Sequence, residues 1–170
     1  MLRLRPYKPC DAKYIVSWIK DEVSFRKWCS TVLDTYPMDE DKLNAYYKQF
    51  DQNDRYWGMT AFDESGVVGH LTMKFTDKRR KNVRLGFIII DENKRGCGYG
   101  KEMIRLAIQY AADLLKAESI TLGVFENNPG AYYCYKALGF TEVPLDEPSY
   151  REILGEQWHN IEMEKRLESQ

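Results

Sequence analysis

The stretch Arg95-Gly96-Cys97-Gly98-Tyr99-Gly100-Lys101 carries the densest chemical signal in the chain. It follows the apolar run Phe87-Ile88-Ile89-Ile90, as expected of a strand covered on both faces. It precedes an amphipathic helix in which Ile104, Ile108, Ala111 and Leu115 form one stripe. Glycines leave backbone N–H groups unobstructed, and the start of a helix adds unpaired N–H groups and a partial positive charge. Together they make a seat for a phosphate or pyrophosphate. Spacing separates the known loops of this kind. The dinucleotide fingerprint needs a third glycine where Lys101 stands, and the Walker loop needs Gly and Ser/Thr where Arg95 and Glu102 stand. What remains is Arg-x-x-Gly-x-Gly after a buried strand.

A second constellation follows about thirty residues on. Glu126-Asn127-Asn128-Pro129-Gly130-Ala131 runs into Tyr132-Tyr133-Cys134-Tyr135-Lys136-Ala137-Leu138-Gly139-Phe140. Pro129 suits the first turn of a helix and Gly139 suits its end. The cysteines Cys10, Cys29, Cys97 and Cys134 show neither a CxxC pair nor zinc spacing, so free thiols and no metal site are expected. Lys78-Arg79-Arg80-Lys81 is the only dense basic run, and it reads as a solvated hairpin loop.

The elements that must position these residues follow from periodicity. Leu2 and Leu4 before Pro6 predict a first strand, and Asp11 is placed to cap the helix after it. Ile15, Trp18 and Ile19 share one helical face, Phe25 and Trp28 mark a second stretch, and Asp39 to Phe50 a third. Strands are predicted over Trp57–Phe62, Val67–Phe75 and Val83–Ile90. A long helix to about Lys116 comes next, then a strand over Ser119–Phe125 and a helix from Pro129 to Leu138. Strands over Phe140–Val143 and Trp158–Arg166, flanking a loop at Leu145–Ser149, complete the pattern. The fold class is therefore α/β (α+β): one domain over residues 1–170, with a mixed sheet of about seven strands. With 170 residues, 44% of them apolar and 30% charged, the chain has the composition of an ordinary globular domain. A net charge of −1 implies no strongly basic face, so nucleic acid is not the default partner. The opening residues lack the apolar core of a signal peptide and no stretch reaches membrane-span length, so a cytoplasmic protein is expected.

The two constellations, in this order, resemble the GNAT superfamily of acyl-CoA-dependent N-acyltransferases. Arg95, Gly98 and Gly100 match its Arg/Gln-x-x-Gly-x-Gly/Ala motif, and Asn128, Ala131, Tyr135, Gly139 and Phe140 match its Asn-x-x-Ala-x-x-x-Tyr-x-x-x-Gly-Phe motif. The opening Leu-Arg-Leu-Arg-Pro, with Asp11, Trp18, Trp28 and Trp158, resembles the subset holding ribosomal-protein N-terminal and aminoglycoside 6′-N-acetyltransferases. The resemblance implies a sheet splayed between its fourth and fifth strands, with helices on both faces and acetyl-CoA lying in the gap. It further implies contacts to that co-substrate from Ile88, Ile89 and Ile90, from Arg95, Gly96, Cys97, Gly98, Tyr99, Gly100 and Lys101, and from Asn128, Ala131 and Tyr135. Tyr135 would protonate the departing thiolate, since a phenol of pKa about 10 can serve a thiol of about 8.5.

The acetyl group would pass to a primary amine: a protein N-terminus, an aminoglycoside or another small amine such as a polyamine. A lysine-like amine costs about 4–5 kcal/mol to deprotonate at pH 7, an α-amino group only about 1. Relatives often supply a carboxylate base on the fourth or fifth strand, but Arg84 and Gly123 stand at those places. Glu126 and His70 are the fallback bases. Trp28, Tyr36, Tyr46, Tyr47 and Tyr150 are candidate walls for the acceptor, and Asp21, Glu22 and Asp34 are candidate attractants for a cation. The rival readings are a non-catalytic acyl-CoA sensor and, on the basic run alone, a nucleic-acid-binding module. A monomer or homodimer is expected.

Overall fold

The computed structural model describes residues 1–168. Strand β1 (Arg3–Pro6) leads through a short turn into three helices, α1 (Ala12–Ser17), α2 (Glu22–Cys29) and α3 (Glu40–Lys48). Strands β2 (Tyr56–Asp63), β3 (Gly66–Phe75) and β4 (Asn82–Ile90) form a meander, followed by α4 (Tyr99–Asp113), β5 (Ser119–Phe125) and α5 (Pro129–Ala137). Short β6 (Thr141–Glu142), β7 (Ser149–Ile153) and long β8 (Glu156–Arg166) close the chain. The sheet order is β1-β2-β3-β4-β5-β8-β6, with β7 also on β8. All pairings are antiparallel except β4–β5, which needs a crossover, and α4 supplies it.

Among the described residues the sheet has eight strands, one more than the sequence predicts. The addition is β7, which begins in the predicted loop and pairs with the first half of β8. Its sequence Ser-Tyr-Arg-Glu-Ile buries only Ile153, so it lacks the alternating apolar residues that announce a strand. Helix α4 stops at Asp113 rather than near Lys116, whose φ of 54° is incompatible with helix.

Two cores lie on opposite faces of the sheet. On one, α4 buries Met103, Ile104 and Ala107 and α5 buries Tyr135, with Phe140 just beyond it, against Leu71, Leu85 and Leu122. On the other, α1–α3 bury Ile15, Phe25, Trp28 and Leu43 against Phe87 and Ile89. The second core holds the buried polar groups. Asp11 stands at the predicted cap position but makes no cap bond. Its carboxylate instead accepts two hydrogen bonds from Arg5 (2.7 and 2.8 Å), one from the Lys8 N–H (2.8 Å) and one from Thr60 (2.8 Å). Burial pushes the Asp11 pKa up, but these four donors outweigh it and hold the group below the usual carboxylate range.

Candidate active site

Strands β4 and β5 pair only at Asn82–Ser119, Val83–Ile120 and Arg84–Thr121. Beyond that point they separate, although β4 continues to Ile90 and β5 to Phe125. Both strands therefore turn unpaired backbone groups into the gap, where only water or a ligand can satisfy them. The local cause is a bulge. His70 faces Ile89 and Thr72 faces Gly86, so three steps on β4 match two on β3. Phe87 takes φ 47° within the bulge, and a bulge bends its strand and steepens its twist. It also shifts the alternation, so that Phe87 and Ile89 face α1–α3 while Ile90 faces α4.

The gap opens into a cavity of about 960 Å³, within the size range of ligand pockets. It passes through the sheet. On the α4–α5 side its wall includes Arg95, Gly96, Gly98, Gly100, Lys101, Asn128, Ala131 and Tyr135. On the α1–α3 side it includes Trp18, Lys27, Trp28, Arg84, Arg151 and Asn160. Gly96 and Gly98 have φ of 75° and 85°, and a side chain on either would meet nothing within 4 Å. Backbone conformation, not crowding, therefore calls for glycine, and the loop stays open around its N–H groups. Gly98 is the N-cap of α4, so the first N–H groups of that helix face the same region. Arg95 is fixed by a bond from Nε to the Ile90 carbonyl (3.2 Å). Burial pushes the Tyr135 phenol well above the usual tyrosine range, so it keeps its proton at neutral pH.

Residues 19–140 match the sequence model of the acetyltransferase (GNAT) family. The chain belongs to the GNAT family. A spermine/spermidine N(1)-acetyltransferase of Bacillus subtilis strain 168 is 41% identical over 64 residues, 38% of this chain and 42% of that relative. A probable spermine N(1)-acetyltransferase of Bacillus subtilis subsp. natto is 39% identical over the same shares. The matched segment thus spans less than half the length of these curated relatives. The crystal structure of Vibrio cholerae spermidine N-acetyltransferase with CoA and spermine superposes with a TM-score of 0.81 at 19% identity, covering 97% of this chain and 95% of that one. That likeness is one of fold. These relatives carry polyamine names rather than those of the N-terminal or aminoglycoside enzymes that the opening residues resemble.

In this GNAT chain most of the motif residues meet at the cavity, with informative exceptions. Cys97 is exposed and does not line the wall. Tyr99 turns away, its hydroxyl bonding Asp63 at 2.7 Å and tying α4 to the β2–β3 turn. His70 is fully buried in the α1–α3 core, its Nε2 lying 2.6 Å from the Tyr47 hydroxyl. Burial lowers its pKa to about 3, and it does not line the cavity. Glu126 is exposed, faces His159 at 3.2 Å and also lies off the wall.

Of the expected acceptor walls, Trp28 lines the cavity, whereas Tyr36, Tyr46 and Tyr47 pack in the second core. Tyr150 is exposed beside His159. Asp21 caps α2 through the Ser24 N–H (2.7 Å), and Asp34 lines a separate cleft with Arg26. The basic run is broken up by pairing, Arg80 with Asp54 and Lys81 with Glu118.

Residues that the sequence left unassigned complete the site. Arg84 is paired with Glu162 on β8, a contact across 78 residues that no local pattern signals. A side chain at Gly123 would come within 2.9 Å of the Asn160 amide oxygen and 3.0 Å of the Arg84 guanidinium, so glycine leaves room for these two side-chain ends. Asn160 was legible in principle, since it shares a strand face with the apolar Trp158 two residues earlier.

Proposed function

We propose that the protein is an acetyl-CoA-dependent N-acetyltransferase that transfers the acetyl group directly to a primary amine in a ternary complex. The observation that supports this reading is the rupture of the β4–β5 ladder after Arg84 and Thr121, which leaves backbone polar groups on a cavity open to both faces of the sheet. The residues fit a CoA thioester. The Gly96–Gly100 loop and the α4 N-terminus offer N–H groups to a diphosphate, with Arg95 and Lys101 beside them. The free edges of β4 at Ile88–Ile90 offer amide partners to an extended amide-bearing arm, and Asn128 and Ala131 flank it. The thioester supplies an activated acyl group.

The amine that enters from the α2 side attacks the thioester carbon. As its C–N bond forms and the C–S bond breaks, Tyr135 gives its hydroxyl proton to the departing sulfur, and the nitrogen sheds its surplus proton to solvent in the cavity, which reprotonates the Tyr135 oxygen. The relatives' names make polyamines the first amines to assay. Calorimetry with CoA and with acetyl-CoA tests the reading, combined with thiol release across an amine panel. Binding of both, and release with at least one amine, are expected. No association with either CoA species overturns it. Stabilisation by acetyl-CoA without thiol release for any amine would instead mark a sensor.

A further inference from the structure

The charges around the cavity are one-sided. Its titratable wall residues include Lys27, Arg84, Arg95, Lys101 and Arg151, and among the described residues no carboxylate and no histidine lines it. Arg95 and Lys101 belong to the glycine-loop end, where a diphosphate answers them. The other three belong to the opposite mouth. The Arg84 charge is met by Glu162. Lys27 and Arg151 form no ion pair among the described residues. Among the described residues Arg151 donates only to the neighbouring Tyr150 carbonyl, at 3.2 Å.

The placement of these two cations is built into the fold. Arg151 is the cross-strand partner of Trp158, and Trp158 lies on the same β8 face as Asn160 and Glu162 by the two-residue period of a strand. Lys27 reaches that mouth from α2, one residue before Trp28, whose indole N–H is buried without an acceptor among the described residues. The carboxylates of this region lie off the wall and are engaged elsewhere: Asp21 in the α2 cap, within electrostatic reach of Lys27 but not paired with it, Asp34 and Glu152 at the separate cleft, Glu156 on the Trp158 indole N–H at 3.3 Å, and Glu162 on Arg84.

We infer that the acceptor is a small primary amine carrying its own anionic group, a carboxylate or a phosphate, which Lys27 and Arg151 hold at the α2–β7 mouth. This rests on reading the cavity as an acetyl-transfer site. A molecule with one reacting amine and one anion sets its negative end against the two free cations. A polyamine would bring two or more positive charges against them with no carboxylate on the cavity wall to receive them, and like-charge juxtaposition opposes it. The same cations favour the neutral form of the bound amine, which matters where no base lines the wall. Cys29, the thiol nearest this mouth in sequence, is pushed by burial up to about 11 and stays protonated.

The test uses four amines at low ionic strength, with thiol release read as kcat/KM: L-glutamate for a carboxylate, O-phosphoethanolamine for a phosphate, ethanolamine as the uncharged-tail control, and spermidine. Calorimetry of each amine on the CoA-saturated protein supplies a reading independent of turnover. At least one anionic amine is expected to exceed ethanolamine and spermidine about tenfold or more, and which one does so identifies the anion. Joint Lys27→Gln and Arg151→Gln substitution should raise the KM of that amine about tenfold, with kcat within about threefold and CoA affinity unchanged. Lys27→Arg should retain the preference. Spermidine ahead of both anionic amines overturns the inference. So does an unchanged KM in the double variant, or a lack of calorimetric binding by either anionic amine to protein that binds CoA. Failure to bind CoA itself sinks the proposed function instead.

Discussion

The two faces of the sheet solve different problems with different materials. On the α4–α5 side the cavity wall is largely backbone, with glycines at 96 and 98 and a helix start, laid over an apolar core. On the α1–α3 side the wall is side chains, and the core behind it holds the residues Asp11, Thr60, His70 and Thr72, the buried polar ones among those described. A backbone seat recognises a group common to every turnover and tolerates change in nearby side chains. A side-chain wall can be retuned residue by residue, but it depends on a polar core that must stay satisfied. Substitutions on the two faces should therefore fail in different ways.

The largest effect is expected from Asp11→Ala. Removing one member of the Asp11–Arg5 pair leaves a part-buried guanidinium and a buried threonine hydroxyl without their acceptor. A loss of about 3–5 kcal/mol of stability follows, measured by urea denaturation, while CoA binding to the remaining folded protein should hold. Next is Tyr135→Phe. It should lower kcat about a hundredfold, with thermal stability and CoA affinity little changed. Unaltered turnover between pH 6 and 9 would remove Tyr135 from the reaction.

The third test is pH. His70 is held neutral with a pKa near 3, whereas the unfolded chain returns it to about 6.5. Between those values the unfolded state binds the extra proton, so stability falls on acidification, by up to about 1.4 kcal/mol per pH unit. His70→Gln should flatten that slope between pH 6 and 4.5 in thermal melts. Asp11 acts in a lower window: its depressed pKa contributes stability above about pH 4 that is lost as the carboxylate protonates. The smallest effect is Gly98→Ala, where φ of 85° costs about 1–2 kcal/mol without any clash. CoA affinity should drop several-fold, with no change in preference among amines. A shift in that preference would blur the distinction between the faces.

How much of this could be read from the sequence follows the same division. The strand–loop–helix from Phe87 to Met103 was legible because an apolar run, clustered glycines and a helical stripe are local signals. The α1–α3 face was less so. The rings Tyr36, Tyr46 and Tyr47 looked like pocket walls, yet they fill the second core, since an aromatic side chain carries no mark of which side of a wall it occupies. The Arg84–Glu162 and Asp11–Thr60 contacts join distant segments. Strand β7, which brings Arg151 to the mouth, is too exposed to show a period. The bulge was invisible for another reason: positive φ at Phe87 is imposed by the fold around it and is unmarked by residue type.

That bulge has a consequence for how such a chain can change over generations. Phe87 is one residue of surplus length in β4, and the faces of Ile88, Ile89 and Ile90 already match what an uninterrupted strand would give without it. A gene shortened by that single codon would keep every later side chain on its accustomed side, at the loss of the ring that packs on Trp28 and Tyr46 in the second core. What would vanish is the bend that carries β4 away from its neighbour. The register of the sheet and its opening thus hang on different residues, and a descendant that refilled the space left by the Phe87 ring could keep the former while shedding the latter.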